Sequence, residues 1–249
     1  MRLAILAAIV AAAVGAPNAL AQSHTQQRAF CENAAGAYAL DLQIGGCTAV
    51  IQSGREPPEY LALAFDNRSA AFAGQGDYGR AIADADQAAQ LAPQNADYQN
   101  SRCWRRAVAG RELDVARAAC DRALQLAPYQ DNLLDSRGLV NLKQQRWQDA
   151  WNDYNTALRL APDTAHYLFG RGIAALQLGR NAEGQADLGR AAQLDGSIEQ
   201  TYAGYGVSPP GGAPSSGPTT LTRQPAPSQP QPTTPAAAEE EEPEPRPRT

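Results

Sequence analysis

One short phrase recurs along this chain at an almost constant interval. Ala88-Ala89-Gln90-Leu91-Ala92-Pro93 is followed 35 residues on by Ala123-Leu124-Gln125-Leu126-Ala127-Pro128, and 34 further on by Ala157-Leu158-Arg159-Leu160-Ala161-Pro162. A second set keeps step with it: Asn67-Arg68-Ser69, Ser101-Arg102-Cys103, Ser136-Arg137-Gly138 and Gly170-Arg171-Gly172. A fixed period of this length marks a stack of similar units, none of which can bury its apolar face alone. The chain is a string of helix pairs, not one irregular domain.

Registered on the arginine, the units are 62–95, 96–130, 131–164 and 165–198. Each reads as helix, short turn, helix. The turns stand at Gly74-Gln75-Gly76-Asp77, Gly110-Arg111-Glu112, Gln144-Gln145-Arg146 and Leu178-Gly179-Arg180. The second helix of each pair ends at its proline, or at Asp195-Gly196 in the fourth unit, as helix stops do.

In these residues the chain resembles the tetratricopeptide repeat family. That family's second helix (helix B) carries a small residue, a bulkier one four later, another small one and a stop. The matches here are Ala81-Ala85-Ala88-Pro93, Ala116-Cys120-Ala123-Pro128, Ala150-Tyr154-Ala157-Pro162 and Gly184-Leu188-Ala191-Gly196. The small slot of the first helix (helix A) is Ser69, Cys103, Gly138 and Gly172, where a larger side chain would push the two helices apart. Two departures stand out. The aromatic near the start of helix A is kept only as Phe65, with Gln99, Leu134 and Leu168 in the later units. The leucine before the small slot is arginine in every unit. Repeat two also has an extra residue between its helices.

The resemblance implies an all-α fold, a right-handed superhelical solenoid of helix-turn-helix repeats. Upstream, 43–52 matches helix B in phase, so a partial repeat is expected within 22–61, with Phe30 to Ala39 as its helix A. Downstream, a capping helix near 199–206 is expected to cover the last apolar face. The resemblance further implies that Cys103 faces Cys120 across the second pair, and that Cys31 faces Cys47 in the partial repeat. Each bridge would close a loop of roughly 15 residues, worth ~3 kcal/mol on the chain-entropy model. With no C-x-x-C, and only His24 and His166 as further soft ligands, staples are favoured over a metal or redox site, and His24 is placed in a loose mature start.

The ends are of other kinds. Arg2, the apolar run Leu3 to Val14 and Ala19-Leu20-Ala21 form a signal-peptide pattern over 1–21, with cleavage expected after Ala21. The run is shorter than the ~20 residues a membrane span needs. Residues 207–249 hold twelve of the eighteen prolines and the acid run Glu239 to Glu242. With so little apolar surface to bury, this stretch is read as a disordered tail. Four cysteines behind a signal sequence suit an oxidising compartment, so the protein is expected to be exported, periplasmic or secreted.

No catalytic motif stands out, and no cofactor or metal set is found; the chain is read as a non-enzyme. Net charge is −5, and without a basic stripe nucleic acid is not an expected partner. The family's groove is lined by helix A, which here implies a protein or peptide ligand against Asp66, Asn100, Trp104, Asp135, Leu139, His166, Phe169 and Ile173. The groove would run from polar and acidic to apolar, with Trp104 either a binding anchor or packed on its neighbour. The Lys/Asn/Arg set with which family members clamp a terminal carboxylate is absent. Asp84, Asp153 and Asp187 share one slot and are expected to form ion pairs with the repeated arginines. Trp147 reads as core, and Trp151 as core or outer face. The expected function is an envelope adaptor; the alternative is a structural protein on cell-wall material, with the tail as spacer.

Overall fold

The computed structural model describes residues 23–211. The proposed signal segment and 212–249 lie outside them. Among the described residues there are eleven α-helices and no strands. They are α1 (His24–Glu32), α2 (Leu40–Gln52), α3 (Pro58–Gly74), α4 (Tyr78–Leu91), α5 (Ala96–Ala109), α6 (Leu113–Leu126), α7 (Asp131–Lys143), α8 (Trp147–Leu160), α9 (Ala165–Gln177), α10 (Asn181–Leu194) and α11 (Ile198–Gly204). Odd-numbered helices from α1 to α9 each pack on the helix that follows, and each even-numbered helix packs on the next odd one. The odd helices also stack on one another, α9 finally meeting α11. This is an all-α solenoid of five hairpins with a terminal helix.

Small residues set the approach of the two helices in a hairpin. A Cβ on Gly138 would lie 2.8 Å from the Tyr154 ring, and one on Gly172 would lie 3.0 Å from Leu188 and 3.1 Å from the Gly184 carbonyl. In the first hairpin a Cβ on Gly46 would meet the Gln27 carbonyl at 2.7 Å and the Cys31 amide at 2.9 Å. Where the slot is Ser69, its hydroxyl donates to the Ala81 carbonyl at 2.8 Å. Where it is Cys103, the contact is covalent. Cys103–Cys120 and Cys31–Cys47 are both disulfides, with Cα atoms 5.3 and 4.4 Å apart.

The repeated arginine stitches hairpin to hairpin. Arg68 donates from Nε and Nη2 to both carboxylate oxygens of Asp84, at 2.8 and 2.9 Å, and from Nη1 to Thr48 of the preceding hairpin at 3.0 Å. Arg137 does the same with Asp153 and reaches back to Asp121. Arg171 repeats it with Asp187 and Asn155. Such forked, charge-assisted pairs fix orientation as well as energy. Repeat two differs. Ala119 stands where the aspartate would be, and Arg102 uses its Nε on Asp86, in the backward slot, at 2.9 Å.

Three expectations need correction. The helix A of the partial repeat is α1, His24–Glu32 with Asn33 as its cap, not Phe30 to Ala39. Asn33 takes a left-handed conformation (φ 43°), and its amide side chain bonds both the N–H and the carbonyl of Tyr38, so the helix stops there. His24 is accordingly not in a loose start: its Nε2 lies 2.6 Å from Glu56, and α1 is tied to α3 by Arg28 stacked on the Tyr60 ring. Finally, Val207 does not open the tail. It is buried, and its N–H bonds the Tyr202 carbonyl at 3.0 Å.

Candidate functional site

The groove positions fall on the inner faces of α3, α5, α7 and α9, but the two ends of the groove differ in what covers them. At the α7–α9 end the cover is α11. Tyr202 is fully buried, its ring 4.8 Å from Phe169 and 4.7 Å from His166, and its hydroxyl donates to the His166 carbonyl at 2.8 Å. Room for it comes from Gly170, where an added Cβ would lie 2.6 Å from the Tyr202 hydroxyl and 2.3 Å from Tyr154. Tyr202 and Tyr154 touch through their hydroxyls at 3.3 Å. One turn on, Tyr205 stands edge-on to Trp104 and 5.8 Å from His166.

Leu139, Phe169 and Ile173 are therefore core residues, each at most 3 % exposed. Asp135 is buried as well, with Oδ1 2.8 Å from His166 Nδ1. His166 is half-buried among Trp104, Tyr202 and Tyr205, and its Nε2 has no partner among the described residues. Trp104 is half-buried between His166 and Tyr205. The apolar end that the sequence offers to a ligand is filled by the chain's own tyrosines. They are missed in the sequence because only the coiling of the stack brings α11 against α9 and Tyr205, just past it, against Trp104 of α5.

The α3–α5 end stays polar. Asp66 and Asn100 occupy equivalent slots, both are buried, and Oδ1 of each accepts no hydrogen bond among the described residues. Ser101 Oγ, near enough to Asp66 to help hold its carboxyl down, makes no well-formed hydrogen bond among the described residues. Arg105, also missed in the sequence, is buried in the same place and donates its Nε to Ser69 Oγ at 3.1 Å. Burial pushes the Asp66 carboxyl above the usual range, and the Arg105 charge pulls against it. Tyr98, close enough to feel Asp66 and Asp97, is pushed up to about 12, chiefly by burial. Buried polar atoms are normally satisfied, so this cluster is poised for hydrogen-bond donors. Exposed Ala70 opens the groove beside it. Among the described residues no cluster of His, Cys, Asp and Glu could hold a metal ion, and no helix is long and apolar enough to cross a membrane.

The two other tryptophans lie on the helix-B side. Trp147 is partly buried against the core. Trp151 donates its Nε1 to Glu183 at 2.8 Å and carries Arg180 on its ring, pinning α8 to α10.

This stack of hairpins, with helix A inside and B outside, is the tetratricopeptide-type solenoid fold. Among solved structures it is similar to MamA 41-end from Desulfovibrio magneticus RS-1, with a TM-score of 0.59 and 14 % identity over 70 % of this chain and 96 % of that one. It is also similar to MamA MSR-1, at 0.55 and 16 % over 70 % and 97 %, and to a further MamA structure at 0.55 and 15 % over 72 % and 97 %. No protein-family model and no curated relative matches the sequence.

Proposed function

We propose that this protein is an exported, non-enzymatic scaffold that holds a segment of a partner protein in the polar half of its groove. The observation that carries the reading is a pair of buried acceptors, Asp66 Oδ1 and Asn100 Oδ1, on adjoining helices of the inner face, with no hydrogen-bond donor among the described residues. A leftover buried acceptor costs about 1–3 kcal/mol. A peptide that brings backbone N–H groups or a basic side chain offsets that cost on binding. Trp104 and Tyr205 border the same space and supply an aromatic wall for the ligand's apolar part.

The fold supports this reading, since a solenoid presents an extended concave surface suited to a chain segment. Two disulfides fit an oxidising compartment. With the signal-peptide pattern of 1–21 they favour export, and the periplasm of a bacterial envelope is the setting we favour. The protein then works by bringing envelope components together.

The test is crosslinked capture from the native envelope with the full mature chain, comparing wild type with Asp66→Arg. The expected result is a specific partner protein retained by wild type and lost in the variant, with both proteins equally folded by circular dichroism. Capture unaffected by Asp66→Arg, or co-sedimentation with purified wall material and no protein partner, would overturn the groove reading.

A further inference from the structure

We propose that the cleft between α5 and α6 is a second binding site, for a carboxylate of an acidic peptide. It faces away from the groove: Arg102 lies two residues beyond the groove position Asn100, about 200° round the helix. It therefore stands independently of the function proposed above.

The chain shows what its repeated arginine binds. In three hairpins the guanidinium grips the aspartate of its own helix B with two hydrogen bonds. In the remaining one Ala119 leaves no carboxylate there. Arg102 has instead turned, so that Nε meets Asp86 and its two Nη groups make no hydrogen bond among the described residues. Asp86 is not its alone, because Arg106 donates to both oxygens of the same carboxylate at 2.8 Å.

Arg102 is also the most open of the set. Its side chain is 37 % exposed, against 16, 27 and 20 % for Arg68, Arg137 and Arg171. The place of the missing aspartate is a real space. A cleft of about 550 Å³ is lined by Arg102 and Ala119 together with Gln99, Ala118, Val115 and Arg122. Among the described residues Arg122 meets only the amide oxygens of Gln94 and Gln125, so a second guanidinium without a carboxylate partner there lines the cleft. Asp114, at the rim, is engaged by Gln144. The volume lies in the range of small-ligand sites, and the fork geometry selects a carboxylate.

The experiment is calorimetric titration of the full mature chain with two probes at low salt. One is acetyl-tetraglutamate amide, which offers side-chain carboxylates. The other is acetyl-tetraalanine with a free C-terminus, which offers a terminal one. Arg102→Gln is expected to weaken binding of the active probe about tenfold or more. Ala119→Asp is expected to do the same while leaving the melting temperature unchanged or higher, because it rebuilds the pair seen in the other hairpins. The same titrations on a chain with Glu239, Glu240, Glu241 and Glu242 all changed to Gln separate the sources. Binding that appears or tightens only there assigns the cleft to the chain's own acid run; binding equal in both assigns it to a partner. Should Ala119→Asp fail to fold, Arg102→Gln decides. Affinity retained in a folded variant, or no binding of either probe to either chain, overturns the proposal.

Discussion

Tyr205, just past α11, stands edge-on to Trp104 of α5, ring centroids 5.5 Å apart at an angle of 80°, across two intervening hairpins. That contact closes the apolar half of the groove and, on the function proposed above, leaves the polar half for the ligand. With Tyr202 as its root, it makes the terminal helix a part of the site's wall as well as a cap.

Removing the root should open the groove. Tyr202→Ala deletes a fully buried aromatic, a change worth about 3–5 kcal/mol in a core. We expect a lower midpoint in urea, a red-shifted tryptophan emission as Trp104 gains water, and binding of an apolar dye. Tyr202→Phe keeps the ring and should lose only about 1 kcal/mol with its hydroxyl bond to the His166 carbonyl.

The hairpin slots should reject a single methyl. At Gly46 the added Cβ meets backbone atoms that cannot rotate away, so Gly46→Ala should destabilise by about 1–3 kcal/mol. At Gly45, next in sequence, the same methyl meets nothing within 4 Å. Gly45→Ala should be neutral or slightly stabilising through helix propensity. Paired thermal melts of the two variants check this directly.

The arginine ladder should be coupled. Arg137→Leu leaves Asp153 buried without its cation, and should cost about 3 kcal/mol. Arg137→Leu with Asp153→Leu removes both charges and should recover a large part of that loss. A double-mutant cycle in urea measures the coupling; additive losses would mean that the ladder does not act as pairs.

Lys143 is the chain's only lysine, and burial pulls its ammonium down to about 8. Between that value and the ordinary 10.5 the unfolded chain binds the proton and the folded one does not, so folding stability from this group rises with pH across that window. It is unchanged below the window, where both states are charged. Carbon-13 methylation of the amine should give one lysine resonance titrating near 8 in the folded protein; a midpoint above 10 would contradict its burial.

Much of this architecture is legible in the sequence because it is local and periodic. The repeat step, the small slots and the arginine–aspartate spacing of 16 each reflect neighbouring turns of neighbouring helices. The cysteine pairs follow from the same register. What escapes is whatever depends on curvature or on a single turn. The Asn33 stop that ends α1 early rests on one left-handed residue. The fold-back of Tyr202 and Tyr205 depends on how far the stack coils. The repeated phrase itself misleads in one respect: its leucines at 91 and 160, and the equivalent Leu194, are 36–46 % exposed. There the alanines and prolines carry the repeat, by packing closely and by ending the helix. The unpartnered acceptors at Asp66 and Asn100 are also invisible in sequence, since their lack of partners is a fact of three dimensions.

The central claim is that a ligand enters at the α3–α5 end of the groove and nowhere along the covered half. It is tested most directly by placing a photo-crosslinking residue at exposed Ala70 on the inner face, or at Tyr129, 85 % exposed in the α6–α7 loop, in cells that natively make the protein. The account predicts a discrete partner adduct from position 70, abolished by Asp66→Arg, and none from position 129. Adducts of equal yield from both positions, or an adduct at 70 that survives Asp66→Arg, would contradict it.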